Sequence, residues 1–429
     1  MNAGRGGKAE TRRPGGSIGR ALGLGLITGA ADDDPSAIGT YASAGARFGL
    51  GVLWMAPVTM PMMYAVVYLS SKLGQVSGRG LFHVIRDFYP RWLLWAVLVG
   101  VMIGNTIEAA ADLGGMAAAL NLFVAVPIPL LAAGVGAVIF ALQVFGSYNL
   151  IRNVFRWLAL ALLAYVGAAL LAKPDAAQVL AGTVVPKIAF DKQFLGIVVA
   201  VIGTTLSAYL FTWQSNQEVE EEIAEGRTRL IDRIGATDQE LAQSRRDILI
   251  GMIFSNVVMY FIILSTGATL YAAGQHDIDT AAQAAEALRP LAGPAASGLF
   301  TLGLIGVGFL AVPVMTTGAA YDLAQALGWK ATLHSTARQA PRFYVAIGVV
   351  TAVAVAMNFL GFNPMRALVL SGIVQGFSTP PLLLLLMLMT NSRRIMGERV
   401  NSLGTNVLGW TTTAVIFLAS AGLVASWFL

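Results

Sequence analysis

Apolar residues occur along the chain in long runs that are separated by short polar segments. A bilayer core of about 30 Å is crossed by about 20 apolar residues in a helix. Eleven runs reach that length, so the pattern predicts an all-α integral membrane protein with about eleven transmembrane helices. The predicted spans are 18–46, 50–71, 93–121, 125–147, 151–172, 193–217, 247–272, 297–325, 343–360, 366–390 and 404–428.

The polar segments predict one transmembrane domain, 18–429, preceded by a disordered cytoplasmic tail. The tail, 1–17, is rich in Gly and Arg and lacks the apolar core and cleavage site of a signal peptide. The longest polar loops are 218–246 and 273–296. The first contains Glu218, Glu220, Glu221 and Glu222, and is either a solvated helix extension or an acidic vestibule for cations.

Composition changes this picture by excluding soluble classes. Of the 429 residues, 56% are apolar and only 12% are charged, whereas an ordinary soluble domain carries about 25% charged residues. A multidomain soluble enzyme and a disordered chain are therefore excluded. The chain has no cysteine, which excludes a disulfide-stapled fold, a Cys–zinc site and a thiol nucleophile.

The basic residues predict the orientation in the membrane. With the N-terminus inside, 22 of the Lys and Arg residues fall inside and 6 outside, as the positive-inside rule requires. The C-terminus then lies outside, and we expect a multi-pass protein of the cell (inner) membrane. The net charge of +5 is explained by this topology. We expect the lipid bilayer as a partner and no nucleic acid.

The first predicted helix is interrupted by charge in its middle. Asp32, Asp33 and Asp34 precede Pro35, with apolar sequence on both sides. A charged side chain at the bilayer centre costs roughly 2.5–3.5 kcal/mol, so it is retained where it faces a wet cavity or a bound cation. A plain proline kink with the acids at the interface is the alternative.

The sixth predicted helix has a weaker interruption, in which Gly203, Thr204, Thr205, Ser207 and Tyr209 lie at mid-span. This helix begins a second set of five, as the first helix begins the first set. Five helices reverse the orientation, so 18–172 and 190–390 would be inverted repeats, followed by an extra helix, 404–428. Interrupted helices at matching places in two halves indicate a transporter's substrate site.

The residues near these interruptions favour a hard cation as the substrate. Unwound backbone exposes carbonyl oxygens, and the carboxylates make an anionic substrate a poor match. His83, His276 and His334 all fall in predicted loops. An oxygen-rich site suits magnesium, calcium or manganese.

Several motifs resemble those of the NRAMP divalent-metal transporters. Asp34-Pro35-Ser36-Ala37 is similar to the Asp-Pro-Gly-Asn motif of that family, and residues 68–81 resemble the exit of its helix 2. Ala111-Asp112-Leu113 resembles its helix 3 motif, and residues 392–397 resemble the segment after its helix 10. The resemblance implies a LeuT-type fold with the metal between broken helices 1 and 6.

The departures from the family pattern carry information about the ion. The family's metal-binding Asp is matched by Asp34, but its Asn, Met and His fall on Ala37, Ser207 and Tyr209. Its helix 3 acids fall on Asn105, Asp112 and Gly115, with Glu108 nearby, and its helix 10 Gln falls on Gly372, with Gln375 one turn on. The resemblance implies metal contacts from Asp34, Ser36, Ala37, Thr204, Ser207, Tyr209 and Gln375, and entrance or relay roles for Asp33, Glu108 and Asp112.

Ser207 in place of the family's methionine removes a soft thioether, and the small side chains of Ser207 and Ala37 widen the site. Both changes favour Mg²⁺, with Mn²⁺ also accepted. This pattern is similar to the NRAMP-related magnesium transporter branch, and the tyrosine in place of histidine favours transport that is not obligatorily coupled to protons. We expect a monomer, no catalytic residues and no cofactor besides the transported ion. The alternatives are a proton-coupled Mn²⁺ or Fe²⁺ importer, a sodium-coupled organic-solute symporter and a membrane protein without transport activity.

Overall fold

The computed structural model describes residues 24–146, 160–332 and 335–428, and within these ranges it contains helices and no strand. The all-α prediction is confirmed for this part of the chain. The predicted tail, the first residues of the first and fifth spans, and His334 lie outside the described residues. The helices are α1 (Leu24–Asp32), α2 (Pro35–Phe48), α3 (Met55–Ser77), α4 (Leu81–Phe88), α5 (Arg91–Leu120), α6 (Ile128–Phe145), α7 (Ala164–Leu171), α8 (Ala176–Val184), α9 (Lys192–Thr205), α10 (Ala208–Ala224), α11 (Leu230–Arg233), α12 (Asp238–Thr266), α13 (Ala281–Glu286), α14 (Arg289–Ala292), α15 (Ala296–Leu327), α16 (Pro341–Met357), α17 (Pro364–Thr390), α18 (Arg393–Met396) and α19 (Leu403–Ala425).

Most of the long helices match a predicted span. Within the described ranges, eight helical segments are long and apolar enough to cross a membrane, with Lys192–Ala224, which contains α9 and α10, counted as one. The number is nine if Pro35–Val52 and Met55–Ser77, which meet at an angle of 117°, count as one span. The predicted count of eleven is not confirmed, since the first and fifth spans are described only in part.

The first predicted helix is broken, as the sequence indicated. Helix α1 ends at Asp32 and α2 begins at Pro35. Proline is favoured at the first position of a helix because its missing N–H would have no partner there. Asp34 caps α2 by accepting a hydrogen bond from the backbone N–H of Ala37 at 2.7 Å. The Asp-Pro pair therefore starts a second helix instead of kinking the first.

The sixth predicted helix is also broken, although it contains no proline. Helix α9 ends at Thr205 and α10 begins at Ala208. The Ser207 hydroxyl lies 3.0 Å from the carbonyl oxygens of Gly203 and Thr204, a local contact of the kind that competes with helical hydrogen bonds. The Thr379 hydroxyl donates to the carbonyl of Leu206 at 3.1 Å, which gives a partner to a group freed by the break.

Close backbone approaches hold the two broken helices in place. Gly203 in α9 packs directly on the backbone of Gly372 and Gly376 in α17, where a side chain would collide. Gly29 in α1 packs in the same way on Gly251 in α12. Small residues allow such approaches between membrane helices. Both breaks are therefore fixed deep inside the helical bundle.

The first residues of the polar segment 218–246 are helical, and three of its glutamates are buried. Helix α10 continues to Ala224, and α12 begins at Asp238 behind a capping box of Thr237 and Glu240. Glu218, Glu220 and Glu222 are only 7%, 6% and 7% exposed. Ser71 donates to Glu218 at 2.7 Å, Tyr321 donates to Glu220 at 2.8 Å, and Arg227 pairs with Glu222 at 3.5 Å. The solvated interpretation is wrong for these three residues, because hydroxyls and an arginine surround them.

Candidate functional site

The hydroxyl of Ser36, in the first turn of α2, joins the two helix breaks. Its oxygen lies 2.8 Å from Oδ1 of Asp34, 3.2 Å from Oε1 of Glu108 and 3.2 Å from the hydroxyl of Thr204. One hydroxyl proton serves one acceptor at a time. Two carboxylates from α5 and the helix 1 break therefore lie on either side of a single hydroxyl group.

Asp34 bridges the gap between α1 and α2 and reaches α10. Its Oδ1 accepts hydrogen bonds from Ser36 and from the backbone of Ala37. Its Oδ2 lies 3.0 Å from the hydroxyl of Tyr209, which is also 2.8 Å from the carbonyl oxygen of Ala31. The break in helix 1 is thus closed by one carboxylate and one phenol, and the side chain of Ala37 adds no polar atom.

Glu108 lies at the centre of the site. Its Oε1 accepts from Ser207 at 3.0 Å, and its Oε2 accepts from the amide of Gln375 at 2.7 Å. The same amide nitrogen lies 3.2 Å from Oδ1 of Asn105. Glu108 therefore contacts three of the predicted metal-site side chains, a more central place than the entrance or relay role expected for it.

Asp112 holds the start of α2 from the neighbouring helix α5. Its Oδ1 accepts a hydrogen bond from the backbone N–H of Ser36 at 2.9 Å, while its Oδ2 is buried with no hydrogen-bond partner among the described residues. The amide nitrogen of Asn105 is also buried, and no residue in the described part of the chain bonds to it. Buried polar atoms in native proteins are normally hydrogen-bonded. These unpartnered atoms therefore leave hydrogen-bonding capacity at the site that a ligand could use.

The charge of this cluster is unbalanced. Asp34, Glu108 and Asp112 are each 0% exposed, and none belongs to an ion pair recorded within 24–146, 160–332 and 335–428. Burying an unpaired carboxylate is costly. A cation or bound protons must therefore offset the negative charge.

The donor set consists of oxygen and amide groups. Over the described residues, no group of three or more His, Cys, Asp and Glu side chains is arranged to hold a metal ion. A cation here would accordingly take a mixed set of carboxylate, hydroxyl and carbonyl oxygens, the set that hard cations prefer. The predicted residues Asp34, Ser36, Thr204, Ser207, Tyr209 and Gln375 all contribute polar atoms to this cluster.

The described histidines lie away from the cluster. His83 is in α4, with its Nε2 3.4 Å from Oδ2 of Asp87, and burial lowers the pKa of His83. The ring of His276 contacts the carbonyl oxygen of Ala46 at 3.2 Å. Neither contact involves a residue of the helix breaks. The prediction that His83 lies in a loop is wrong, because Leu81–Phe88 is helical.

Two of the three consecutive aspartates, Asp32 and Asp33, contact a different helix from those that Asp34 contacts. Asp33, predicted at the entrance, is fully buried, and with Asp32 it contacts Ser255 of α12. Ser255 was not among the residues predicted for the site. The sequence feature that could have identified it is a polar pair, Ser255 and Asn256, within the apolar run of the seventh predicted helix.

Two broken helices that meet at a buried polar site define a transporter fold, and solved structures share it. A manganese transporter from Eremococcus coleocola matches with a TM-score of 0.72 and 20% identity, covering 97% of this chain and 90% of that one. MhsT, solved with L-phenylalanine, matches with a TM-score of 0.61 and 11% identity, covering 94% and 98%. Mhp1, a nucleobase-cation-symport-1 family transporter, has a TM-score of 0.58 and 14% identity, covering 94% and 90%. The predicted LeuT-type fold is confirmed.

Residues 25–426 match the family described as natural resistance-associated macrophage protein-like, or Nramp, and the chain belongs to this family. A relative from Deinococcus radiodurans, named divalent metal cation transporter MntH, is 28% identical over 414 residues, covering 94% of this chain and 88% of the relative. A Bacillus subtilis protein of the same name is 28% identical over 423 residues, covering 95% and 92%. The family resemblance inferred from the motifs is confirmed.

Proposed function

We propose that this protein is a secondary transporter that moves divalent metal cations across the membrane by alternating access. The observation that carries the proposal is the set of three fully buried carboxylates, Asp34, Glu108 and Asp112, at the meeting point of two helix breaks. A divalent cation supplies the positive charge that this set lacks. Relatives named divalent metal cation transporters support the same class of substrate.

We propose Mg²⁺ as the physiological ion, with Mn²⁺ also accepted, as in the magnesium transporter branch of the family. Ser207 and Ala37 stand where the family has Met and Asn, so the site offers a hydroxyl in place of a thioether. Mg²⁺ takes oxygen ligands and keeps several of its waters, so it suits a site with small side chains. Soft ions such as Cd²⁺ lose the ligand that would favour them.

We also propose that ion entry does not require coupled protons. A membrane potential supplies about 2.3 kcal/mol per charge per 100 mV, or roughly 4.6 kcal/mol for a divalent ion. Tyr209 occupies the family's histidine position, and a phenol with a pKa near 10 is a poor proton carrier at neutral pH. The N-terminus inside, the inner membrane and a monomeric state belong to the same proposal, supported for orientation by the distribution of Lys and Arg.

A proton-coupled Mn²⁺ or Fe²⁺ importer is the second candidate. The observation in its favour is that Glu108 and Asp112 both contact Ser36, so two titratable groups lie directly beside Asp34. A shortened proton relay through these two carboxylates is the feature that separates it from the uncoupled transporter.

We propose that the site opens by separation of α1 from α10, which polar contacts hold together in this structure. Thr28 of α1 donates to the amide oxygen of Gln214 at 2.6 Å, and Tyr209 donates to the carbonyl of Ala31 at 2.8 Å. Gln214 in turn donates to Glu218 at 2.8 Å, which extends the polar contacts along α10. We propose that these contacts break when the ion is released.

A flux assay in proteoliposomes tests the function. With an inside-negative potential, Mg²⁺ and Mn²⁺ should enter well above the level of empty liposomes, and an amino-acid mixture should not. Uptake of amino acids without divalent ions would indicate a symporter of the same fold. No flux of any of these solutes would contradict the transport proposal.

A pH-sensitive dye trapped in the same liposomes tests the coupling. At a clamped potential, Mg²⁺ or Mn²⁺ entry is expected to leave the lumenal pH unchanged. Acidification that follows metal entry and disappears in an Asp112→Asn variant would favour the proton-coupled importer instead.

Selectivity should depend on the hard character of the ligands. The double variant Ser207→Met and Ala37→Asn is expected to raise Cd²⁺ or Mn²⁺ competition against Mg²⁺ uptake by about tenfold, because a thioether binds soft ions. A matched control is Ser265→Met on α12, whose hydroxyl bonds the carbonyl of Ala287 outside the site. Unchanged competition in the double variant would show that Ser207 does not contact the ion.

A further inference from the structure

The three consecutive aspartates at the helix 1 break form two separate groups of contacts. Asp34 contacts Ser36 and Tyr209, as described above. Asp32 and Asp33 instead share the hydroxyl of Ser255 in α12, which lies 2.6 Å from Oδ2 of Asp32 and 3.2 Å from Oδ1 of Asp33. The cluster of Asp32, Asp33 and Ser255 is therefore separate from the hydrogen bonds of the Asp34 site.

This cluster carries more negative charge than its partners offset. Both aspartates are 0% exposed, and one hydroxyl proton is shared between them. Oδ1 of Asp32 and Oδ2 of Asp33 are buried without any hydrogen-bond partner among the described residues. The ion pairs recorded for that part of the chain do not include either aspartate. Two free carboxylate oxygens beside a hydroxyl form a ready set of ligands for a hard cation.

The backbone at this place favours a cation as well. Asp32 is the last residue of α1, and the C-terminal end of a helix presents unpaired carbonyl groups and the negative end of the helix dipole. The close packing of Gly29 on Gly251 brings α1 against α12, so that Ser255 reaches the aspartates. Ends of broken helices coordinate cations in transporters of this architecture.

We propose that Asp32, Asp33 and Ser255 form a second cation site that takes a hard divalent cation. The charge count supports a divalent ion, because two carboxylates are balanced by one such ion. Together with Asp34, Glu108 and Asp112, five fully buried carboxylates surround the helix 1 break. If one divalent ion is bound, three of these five negative charges stay unbalanced. If two divalent ions are bound, one negative charge stays unbalanced. The proposal concerns binding and goes beyond the transport function.

Equilibrium dialysis of the purified full-length protein against radioactive Mn²⁺, in sodium-free buffer, tests the site by counting ions. The wild type is expected to bind two Mn²⁺ per chain. The Asp32→Asn, Asp33→Asn double variant and the Asp34→Asn variant are each expected to bind one. A single ion in the wild type that the double variant retains would overturn the proposal, and so would complete loss of binding in a folded double variant.

A variant with a smaller change provides a second test that does not depend on the folding of the double variant. Ser255→Ala removes one ligand and keeps both charges, and it is expected to weaken the second Mn²⁺ on the order of tenfold while the first is unchanged. Ser265→Ala on the same helix is the matched control and should bind as the wild type does. Each variant is first checked for a single symmetric size-exclusion peak. Unchanged binding by a folded Ser255→Ala protein would overturn the assignment of Ser255.

Competition identifies the ion. Excess Mg²⁺ is expected to displace both Mn²⁺ ions, whereas displacement of the second by Na⁺ but not by Mg²⁺ would overturn the divalent assignment. The measurement needs no transport. Failure of the flux assay would therefore leave this proposal standing, and loss of the second ion would leave the proposed transport function intact.

Discussion

Replacing Asp34 with asparagine is expected to reduce divalent-cation uptake in proteoliposomes to the background level while the protein still folds. Asparagine keeps the shape of the side chain and can cap α2 nearly as well as aspartate. It can still accept from the backbone of Ala37 and from Ser36. What it removes is the negative charge, which contributes about 4 kcal/mol per unit charge at 4 Å in an effective dielectric of 20.

A second N-cap aspartate provides the control for this variant. Asp191 caps α9 by accepting from the backbone of Gln193 at 3.0 Å and of Phe194 at 2.9 Å, away from the site. Asp191→Asn should transport as the wild type does. Near-normal uptake by a monodisperse Asp34→Asn protein would remove Asp34 from the ion site, and equal losses in both variants would attribute the effect to helix capping.

The fold was predictable wherever local chemistry decides it. Asp34-Pro35 predicts a helix start as well as a helix stop, since Asp is a preferred cap and Pro a preferred first residue. The break at Ser207 was less evident, because it depends on contacts from α17 such as the bond from Thr379 to Leu206. The start of α12 at Asp238 lies nine residues before the apolar run, because a polar helix end has no hydrophobic pattern.

The site was predictable as a set of residues but not as an arrangement. Successive residues in a helix differ by about 100° in direction, and at a break this relation no longer holds. The sequence therefore could not say that Asp32 and Asp33 face Ser255 while Asp34 faces Tyr209. The central place of Glu108 depends in the same way on how α5 packs against both breaks.

The buried glutamates of α10 show a different reason why a prediction from the sequence was wrong. Four glutamates within five residues are typical of a solvated surface, and residues of this type are rarely buried unless they are paired. Here the partners come from distant parts of the chain, Ser71 for Glu218 and Tyr321 for Glu220. No local pattern contains that information. An acidic vestibule for the outgoing cation stays a prediction.

Replacing Glu108 with glutamine is expected to weaken the apparent affinity for the transported ion at least about a hundredfold. Glu108 contacts Ser36, Ser207 and Gln375, so its charge lies where helices α2, α5, α10 and α17 meet. The loss of a few kcal/mol of attraction corresponds to this change, because each 1.4 kcal/mol is a factor of ten. The concentration dependence of Mg²⁺ uptake measures it. Glu286→Gln, at an exposed ion pair with Arg289, is the matched control.

An exchange of the two partners separates the charge of Glu108 from its hydrogen bond. The double variant Glu108→Gln and Gln375→Glu restores one carboxylate and one amide across the 2.7 Å contact, with the charge moved from α5 to α17. If the charge of the cavity governs binding, the double variant should recover about tenfold of the lost affinity. An affinity for Mg²⁺ in the single variant within twofold of the wild type would exclude Glu108 from the ion site. A folded double variant as weak as the single one would show that the carboxylate must stand on α5, where it contacts both Ser36 and Ser207.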